Sequence, residues 1–324
     1  MAGTFVISLD FELHWGVRDH ATVEQYKENL LGVREAVPTM LALFAKHGIA
    51  ATWATVGFLF AETKKDLERH FPRLLPTYSN KRMSPYEAMG DVGPDEKRDP
   101  FHFAPSLIRE IAKTPRQEIA THTFSHFYCL EPGQTPEQFE ADLEAAAAIG
   151  APFGDTCKSI VFPRNQLGPE YLSVLRRRNV RAYRSNGTHW AYRAEAKETP
   201  ARRAFRLADA YVPIGGARVN HVERRGELVD VPASAFLRPY SPRLRRLDEL
   251  RYRRLCFAMT RAAETGRTFH LWWHPHNFGR HQRENLAFLE RLLKHYDSLR
   301  RKYGTETVTM RETAGIERSR SAPL

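Results

Sequence analysis

Residues 118–126 read Glu-Ile-Ala-Thr-His-Thr-Phe-Ser-His, a short segment with an apolar centre that leads into two histidines four positions apart. The pattern of a short apolar run followed by polar residues predicts a strand over 118–121. In α/β barrels the functional side chains lie at the carboxyl ends of the strands. We therefore expect His122 and His126 to lie at a functional site.

Short apolar runs alternate with helical segments along most of the chain, which predicts an α/β fold with a parallel sheet or barrel. The predicted strands are 4–9, 50–56, 118–121, 159–162, 180–183, 229–231 and 269–273. The predicted helices are 33–47, 105–113, 136–149, 169–178, 247–264 and 282–302. No internal repeat or Ser/Gly linker interrupts this order, so we expect one catalytic domain over residues 1–324.

Three stretches do not fit the alternation. Residues 78–103 are rich in Pro, Gly, Asp and Lys, and a loop of that length in a compact domain indicates a lid or binding insertion. Residues 191–213 are irregular and contain four arginines. The polar end of the chain, 313–324, is expected to be a disordered tail.

The composition excludes several classes of protein. The chain has 324 residues, of which 42% are hydrophobic and 27% charged, so it is neither collagen-like nor disordered. Three cysteines without a CxxC pair argue against a disulfide framework. The amino terminus lacks a basic segment before its short apolar run, and no apolar run spans eighteen residues, so we expect a soluble cytoplasmic protein.

The net charge of +11 is distributed unevenly. Residues 1–162 have a net charge of −6, whereas residues 163–324 have +17, with 30 arginines and only three lysines. Because the guanidinium fork suits phosphates and carboxylates, an anionic partner or an anionic membrane surface is one interpretation. Solvated helix faces are the other.

Polar side chains also follow other predicted strands. Asp10 and Glu12 follow the first, Arg164 and Asn165 follow the fourth, and His274 and His276 follow the last; all are predicted to lie on the same face as the histidine pair. A histidine pair four residues apart is often coincidental, but two imidazoles on a helical turn plus a carboxylate form an open zinc-type site.

Five segments together resemble the polysaccharide deacetylase superfamily, carbohydrate esterase family four. They are 8–12 (SLDFE), 43–53 (LFAKHGIAATW), 118–126 (EIATHTFSH), 162–165 (FPRN) and 271–275 (LWWHP). The resemblance implies a distorted (β/α)7 barrel that removes acetyl groups from sugars with a divalent metal. Zn²⁺ is the first expectation, with Co²⁺, Ni²⁺ and Mn²⁺ as alternatives.

The resemblance also implies roles for individual residues. Asp10 would be the general base, His274 the general acid, and Arg164 the residue that orients the base. The metal ligands would be Glu12, His122 and His126. Phe11 stands where the family commonly has the metal-binding Asp. Glu12, two positions after Asp10, is therefore expected to take its place. Asp209 and Asp230 are equal candidates for the remaining acidic motif, which we could not place.

Three further residues are expected to contact substrate: Trp15 by stacking on a sugar ring, Asn165, and His276 as a reserve acid. The resulting hypothesis is N-deacetylation of a sugar or glycan-biosynthesis precursor, with a phosphate-bearing substrate suggested by the arginines. One alternative is hydrolysis of a non-sugar amide, such as an acetylpolyamine or cyclic ureide, by the same barrel. The other is an arginine-rich protein that binds glycan or nucleic acid without catalysis; no specific nucleic acid is expected.

Overall fold

A computed structural model of the protein describes residues 2–187, 189–193 and 199–316. The strands are β1 (Thr4–Phe11), β2 (Ala51–Thr55), β3 (Gln117–Thr121), β4 (Ser159–Val161), β5 (Ala182–Arg184), β6 (Glu223–Arg225), β7 (Leu228–Asp230), β8 (Ala235–Phe236), β9 (Thr268–Trp273) and β10 (Glu306–Val308). The helices are α1 (Val23–His47), α2 (Lys64–Arg69), α3 (Pro105–Lys113), α4 (Pro136–Gly150), α5 (Pro169–Arg177), α6 (Pro200–Asp209), α7 (Asp248–Thr265), α8 (Gln282–Tyr303) and α9 (Met310–Thr313). All seven predicted strands are present, with ends within two residues of those expected.

The strands form one twisted sheet in the order β6-β7-β5-β4-β3-β2-β1-β9-β8, with β10 also paired to β1. Every pairing is parallel except that of β6 with β7. Residues 228–237 connect the two sides of the sheet: Val231 N–H donates to Tyr183 O, and Ser234 N–H donates to His270 O. This segment therefore lies between β5 and β9 and is hydrogen-bonded to both strands. The result is the expected α/β barrel in a distorted form.

The strand β1 occupies the centre of the barrel wall. It pairs with β9 along residues 4–9 and with β2 along residues 8–11, and all its residues except Thr4 are buried. Parallel strands covered by helices are buried on both faces and are continuously apolar. The carboxyl end of β1 is therefore enclosed by its neighbours, where Asp10 and Glu12 lie.

The first helix is longer than predicted. α1 begins at Val23, ten residues before the predicted start, because Thr22 and Gln25 form a capping box. The first turns are mostly polar, so apolar periodicity could not reveal them. The helix ends as expected before Gly48, which adopts the left-handed conformation at φ 64°.

The two internal irregular stretches have local structure. Residues 191–213 contain α6, whose buried side chains are the polar Arg202 and Asp209, so an apolar stripe was absent from the sequence. Within 78–103 the chain forms short 3-10 helices, Lys81–Met83 and Pro85–Asp91. Arg18 donates to the carbonyl of Arg82 at 2.7 Å and thereby attaches this segment near the end of β1. A lid function stays a prediction.

The helix α9 includes Thr313, so the predicted tail does not begin at residue 313. Residues 317–324 lie outside the described residues. No helix in the described part of the chain is both long and apolar enough to cross a membrane.

Candidate active site

The loop after β1 places the Glu12 carboxylate inside the barrel mouth. Leu13 adopts a positive φ of 46°, which turns the chain sharply after Glu12. Gly16 lies directly against the carboxylate, since a Cβ there would come within 2.0 Å of Glu12 Cδ. Only a residue without a side chain leaves room for Glu12 in this position.

A chain of hydrogen bonds supports this loop from the 78–103 segment. His14 Nδ1 lies 2.9 Å from His102 Nε2, and His102 Nδ1 lies 2.8 Å from Asp99 Oδ2. Trp15 adds a bond from its Nε1 to the His102 carbonyl at 2.9 Å. Trp15 is 1% exposed and packs edge-on against Phe58, so the expectation that it stacks on a sugar is wrong. The indole instead holds the loop after β1 in place through its bond to His102.

The two histidines after β3 are positioned by a tight turn rather than by the helical turn that their spacing suggested. Thr123 and His126 have positive φ values of 65° and 59°. The buried Asp142 carboxylate of α4 accepts hydrogen bonds from Phe124 N at 2.6 Å and from Ser125 N at 3.2 Å. These bonds satisfy backbone donors that a helix would have paired internally.

Glu12, His122 and His126 meet in the barrel mouth. Glu12 Oε2 lies 3.2 Å from His122 Nε2 and 3.1 Å from His126 Nε2, and all three side chains are buried. The structure therefore brings together the three residues that the sequence suggested as metal ligands. Their donor atoms lie within 4.8 Å of one another.

This donor set fits a divalent metal. His122 Nδ1 bonds the carbonyl of Val161 at 2.8 Å, so a neutral ring directs its Nε2 lone pair towards Glu12. That Nε2 is buried without a hydrogen bond among the described residues. A lone pair facing a carboxylate oxygen is unfavourable unless a cation lies between them. One carboxylate and two imidazoles are ligands typical of Zn²⁺ with open positions for water.

A second potential ligand set shares Glu12. His274 Nε2 lies 3.5 Å from Glu12 Oε1, and His276 Nε2 lies 4.0 Å from the same oxygen. His274 is part-exposed and lies 3.9 Å from Asp10 Oδ2, whereas His276 is buried. Burial lowers the pKa of His276 to about 3 and that of His126 to about 4. Both are therefore neutral at physiological pH, as metal ligation requires.

Asp10 is held by Arg184 at the end of β5. The guanidinium makes two contacts of 2.7 Å, Nη1 to Oδ1 and Nη2 to Oδ2, and both side chains are buried. Burial alone would raise the pKa of Asp10, but the charge and hydrogen bonds of Arg184, with smaller contributions from His122 and His274, together outweigh burial and lower the pKa. Asp10 is therefore ionised.

Further contacts fix Arg184. Asn165 Oδ1 accepts from Arg184 Nη2 at 2.8 Å, and Ser8 Oγ accepts from Nη1 at 2.9 Å. Ser8 Oγ in turn lies 2.8 Å from His270 Nε2, whose other nitrogen lies 3.0 Å from the carbonyl of Val231. The indole of Trp272 covers the guanidinium, 4.2 Å from Cζ to the ring centroid.

The structure corrects the role expected of Arg164, because Arg184 is the arginine that orients Asp10. Arg164 forms an ion pair with Asp19 and lies 3.5 Å from Glu131. The missed residue follows the predicted strand 180–183 directly, so the rule applied to the other strand ends would have identified it. Asn165 contacts Arg184 rather than standing free for substrate.

Neither Asp209 nor Asp230, the two candidates for the remaining acidic motif, contacts His274. Asp209 pairs with Arg254 at 3.4 Å, and Asp230 lies 3.5 Å from Arg225. His274 Nδ1 instead lies 3.3 Å from Asn277 Nδ2. The polar neighbours of this ring in the described part of the chain include Asn277, Glu12, Asp10 and the stacked His276.

Comparison with known proteins agrees with this picture. A family model described as polysaccharide deacetylase matches residues 27–183, which confirms the resemblance seen in the motifs. A search of curated protein sequences found no significant match.

Solved structures share the fold at low identity. A crystal structure described as a polysaccharide deacetylase from Mycobacterium smegmatis aligns with a TM-score of 0.57 at 13% identity, covering 100% of this chain and 96% of that one. An allantoinase aligns at 0.54 and 13%, covering 96% and 87%. The α-amylase AmyC from Thermotoga maritima aligns at 0.57 and 11%, covering 98% and 76%. Because such different enzymes share the barrel, these likenesses show the fold and leave the reaction to the site.

Proposed function

We propose that this chain, a barrel of the polysaccharide deacetylase type, is a metal-dependent hydrolase that removes an acetyl group from the nitrogen of an amino sugar or glycan precursor. The observation that carries the proposal is the meeting of Glu12, His122 and His126 beside the ionised Asp10. A carboxylate next to, but outside, a three-residue metal site is the arrangement that metal-assisted hydrolysis requires.

Glu12, His122 and His126 would hold the ion. The chemistry such an ion supplies when bound is polarisation of the acyl oxygen and a lower pKa for water at the site. The carboxylate supplies negative charge, and the two neutral imidazoles supply lone pairs without adding repulsion. Zn²⁺ is the first candidate for this donor set.

Asp10 would act as the general base. It accepts a proton from water while the water oxygen forms a bond to the acetyl carbonyl carbon. Arg184 holds the carboxylate at two points, so its orientation is set before substrate arrives. The ion pair also keeps Asp10 ionised, because burial alone would favour the protonated form.

His274 would act as the general acid. Its ring is part-exposed and lies 3.9 Å from Asp10 and 3.5 Å from Glu12, so it borders the reacting atoms from the opposite strand. An amine leaves readily only when protonated, and His274 can donate that proton as the carbon–nitrogen bond breaks. The products are acetate and the free amine.

The reaction can be tested by acetate release from the zinc-loaded protein. The substrate panel would contain N-acetylated sugars and their nucleotide-linked forms, acetylspermidine and allantoin. Release from a sugar, lost in Asp10→Asn with metal retained, supports the proposal. Turnover of allantoin or acetylspermidine alone would assign the same site to a non-sugar amide. If the metal-loaded protein turned over none of these compounds, the result would contradict the proposal that it is an enzyme.

A further inference from the structure

A cavity of about 690 Å³ opens beside His274. One side is formed by the residues around the proposed active site, namely Asn165, Trp272 and His274. The volume lies in the range of pockets that bind a whole small-molecule ligand. The cavity can therefore hold a substantial part of a substrate whose acetyl group lies at Glu12 and Asp10.

The cavity is strongly cationic. Among the described residues that line it are eight arginines and only three carboxylates, Asp19, Glu131 and Asp209. All three carboxylates are already paired, Asp19 and Glu131 with Arg164, and Asp209 with Arg254. Even with Arg193 and Arg206 left aside, six arginines face these three carboxylates, so the described lining carries more positive than negative charge.

Arg254 has a donor that the described protein does not satisfy. The side chain is 4% exposed, its Nε donates to Asp209 O at 3.0 Å, and its Nη2 lies 3.4 Å from Asp209 Oδ2. Its Nη1 is buried with no hydrogen-bond partner in the described part of the chain. Buried charged donors are normally hydrogen-bonded, so an unpaired one in a cavity wall indicates a missing acceptor.

Arg251, one turn earlier in α7, also has a buried donor without a partner among the described residues. It lies 3.1 Å from Asp248, and the unpaired donor is its Nε. Arg218 also lines the cavity and is stacked over Tyr192, with Cζ 3.3 Å from the ring centroid. Burial lowers the pKa of Arg218, although the neighbouring Tyr192 and Asp209 oppose this effect.

From this geometry we infer that the cavity binds a phosphate or diphosphate group of the substrate, whose acetylated ring extends past His274 to Glu12. This inference rests on the proposed deacetylase function for the role of the ring, but the anion site stands by itself. A diphosphate presents oxygens to several guanidinium forks at once, whereas one carboxylate is matched by a single fork. Several arginines facing one cavity therefore favour the larger anion.

The phosphate could be part of a nucleotide or of a polyprenyl carrier. Phe236 in the cavity wall offers an aromatic side chain to a base or sugar. Close by in the chain, Trp190, Val212 and Ile214 are more than half exposed, as a lipid-facing rim would be. Both sources share the phosphate ester, and the experiment separates them.

The test measures binding by calorimetry in EDTA, so that no metal can coordinate the anion. The probes are inorganic pyrophosphate, UDP, vesicles containing polyprenyl phosphate, and glucuronate as the carboxylate control. We expect pyrophosphate and at least one of the two phosphate esters to bind. Arg218→Gln and Arg238→Gln should each weaken this binding about tenfold, and affinity should fall steeply with salt.

Arg224→Gln is the matched control, because it removes an exposed arginine on β6 that does not line the cavity. Preference for UDP identifies a nucleotide source, and preference for the vesicles identifies a lipid source. Absence of phosphate binding, tighter binding of glucuronate, or equal losses in Arg224→Gln would overturn the inference. Because no metal or turnover is involved, these results are independent of the acetate assay.

Discussion

Arg184 and Asp10 form a buried, two-point ion pair across the mouth of the barrel, with both nitrogen–oxygen distances at 2.7 Å. The two residues are 174 positions apart in sequence, at the ends of β5 and β1. Their contact fixes the carboxylate that lies beside the candidate metal ligands. The arrangement explains how a buried aspartate stays ionised and oriented.

Replacing Arg184 with methionine should therefore affect both stability and turnover. Removing one partner leaves a buried charge without compensation, which costs about 3–5 kcal/mol of unfolding free energy. In the proposed mechanism kcat should fall about 10²-fold, because the base is no longer oriented. Urea titration and acetate release measure the two effects.

Arg184→Lys and Arg253→Lys complete this experiment. Lysine keeps the charge at position 184 but loses the two-point fork, so the lost stability should be partly restored and kcat less so. Arg253 is 74% exposed and pairs with Glu249, so Arg253→Lys should change stability by less than about 1 kcal/mol. Wild-type kcat in Arg184→Met would show that Arg184 does not orient the base.

Metal content should distinguish the two ligand sets that share Glu12. His122→Ala removes a nitrogen that is oriented by the Val161 carbonyl, and it should lower Zn²⁺ affinity at least 100-fold. His274→Ala should keep about one Zn²⁺ per chain while losing turnover. Elemental analysis after dialysis against a weak chelator measures both. Zinc loss in His274→Ala and His276→Ala, with retention in His122→Ala, would assign the ion to the other set.

Gly16→Ala tests the close approach of the loop to Glu12. The new methyl group would overlap the carboxylate, so Glu12 must move and Zn²⁺ affinity should fall at least tenfold. Gly90→Ala is the matched control, because nothing lies within 4 Å of a Cβ at that position. Calorimetric zinc titration compares the two variants. Equal affinities would show that the loop adjusts without displacing Glu12.

Asp142 should make stability depend on pH. Burial raises its pKa from 3.8 to about 7, although bonds from Ser125 and Phe124 oppose this effect. Between these pH values the folded state binds a proton that the unfolded state has released. The contribution of Asp142 to stability is therefore greatest below about pH 4 and declines as pH rises to about 7.

Asp142→Asn should flatten this part of the stability profile, because the amide does not titrate. Unfolding free energies from urea titrations at several pH values between 4 and 7 measure the change. Glu24→Gln, which alters an exposed carboxylate on α1, is the matched control. A profile unchanged in Asp142→Asn would contradict the assigned titration.

Much of the fold followed from local patterns in the sequence. The strands β1 and β2 are readable because a strand buried on both faces is rich in apolar side chains, and β3 is marked by its apolar centre, Ile119 and Ala120. The polar start of α1 and all of α6 were not predicted. Their boundaries depend on capping residues and on buried polar groups rather than on the periodicity of apolar residues. The short strands β6, β8 and β10 were also missed, because pairing with distant partners defines them.

For the site, the sequence alone determined the chemistry available, a carboxylate pair, a histidine pair and two further histidines after apolar strands. Only the tertiary structure decided which of these groups touch. It placed Arg184 rather than Arg164 on Asp10, and it buried Trp15 behind the loop. The reason is physical: the order of residues fixes which side chain follows each strand, whereas contacts 174 residues apart depend on how the barrel brings strand ends together.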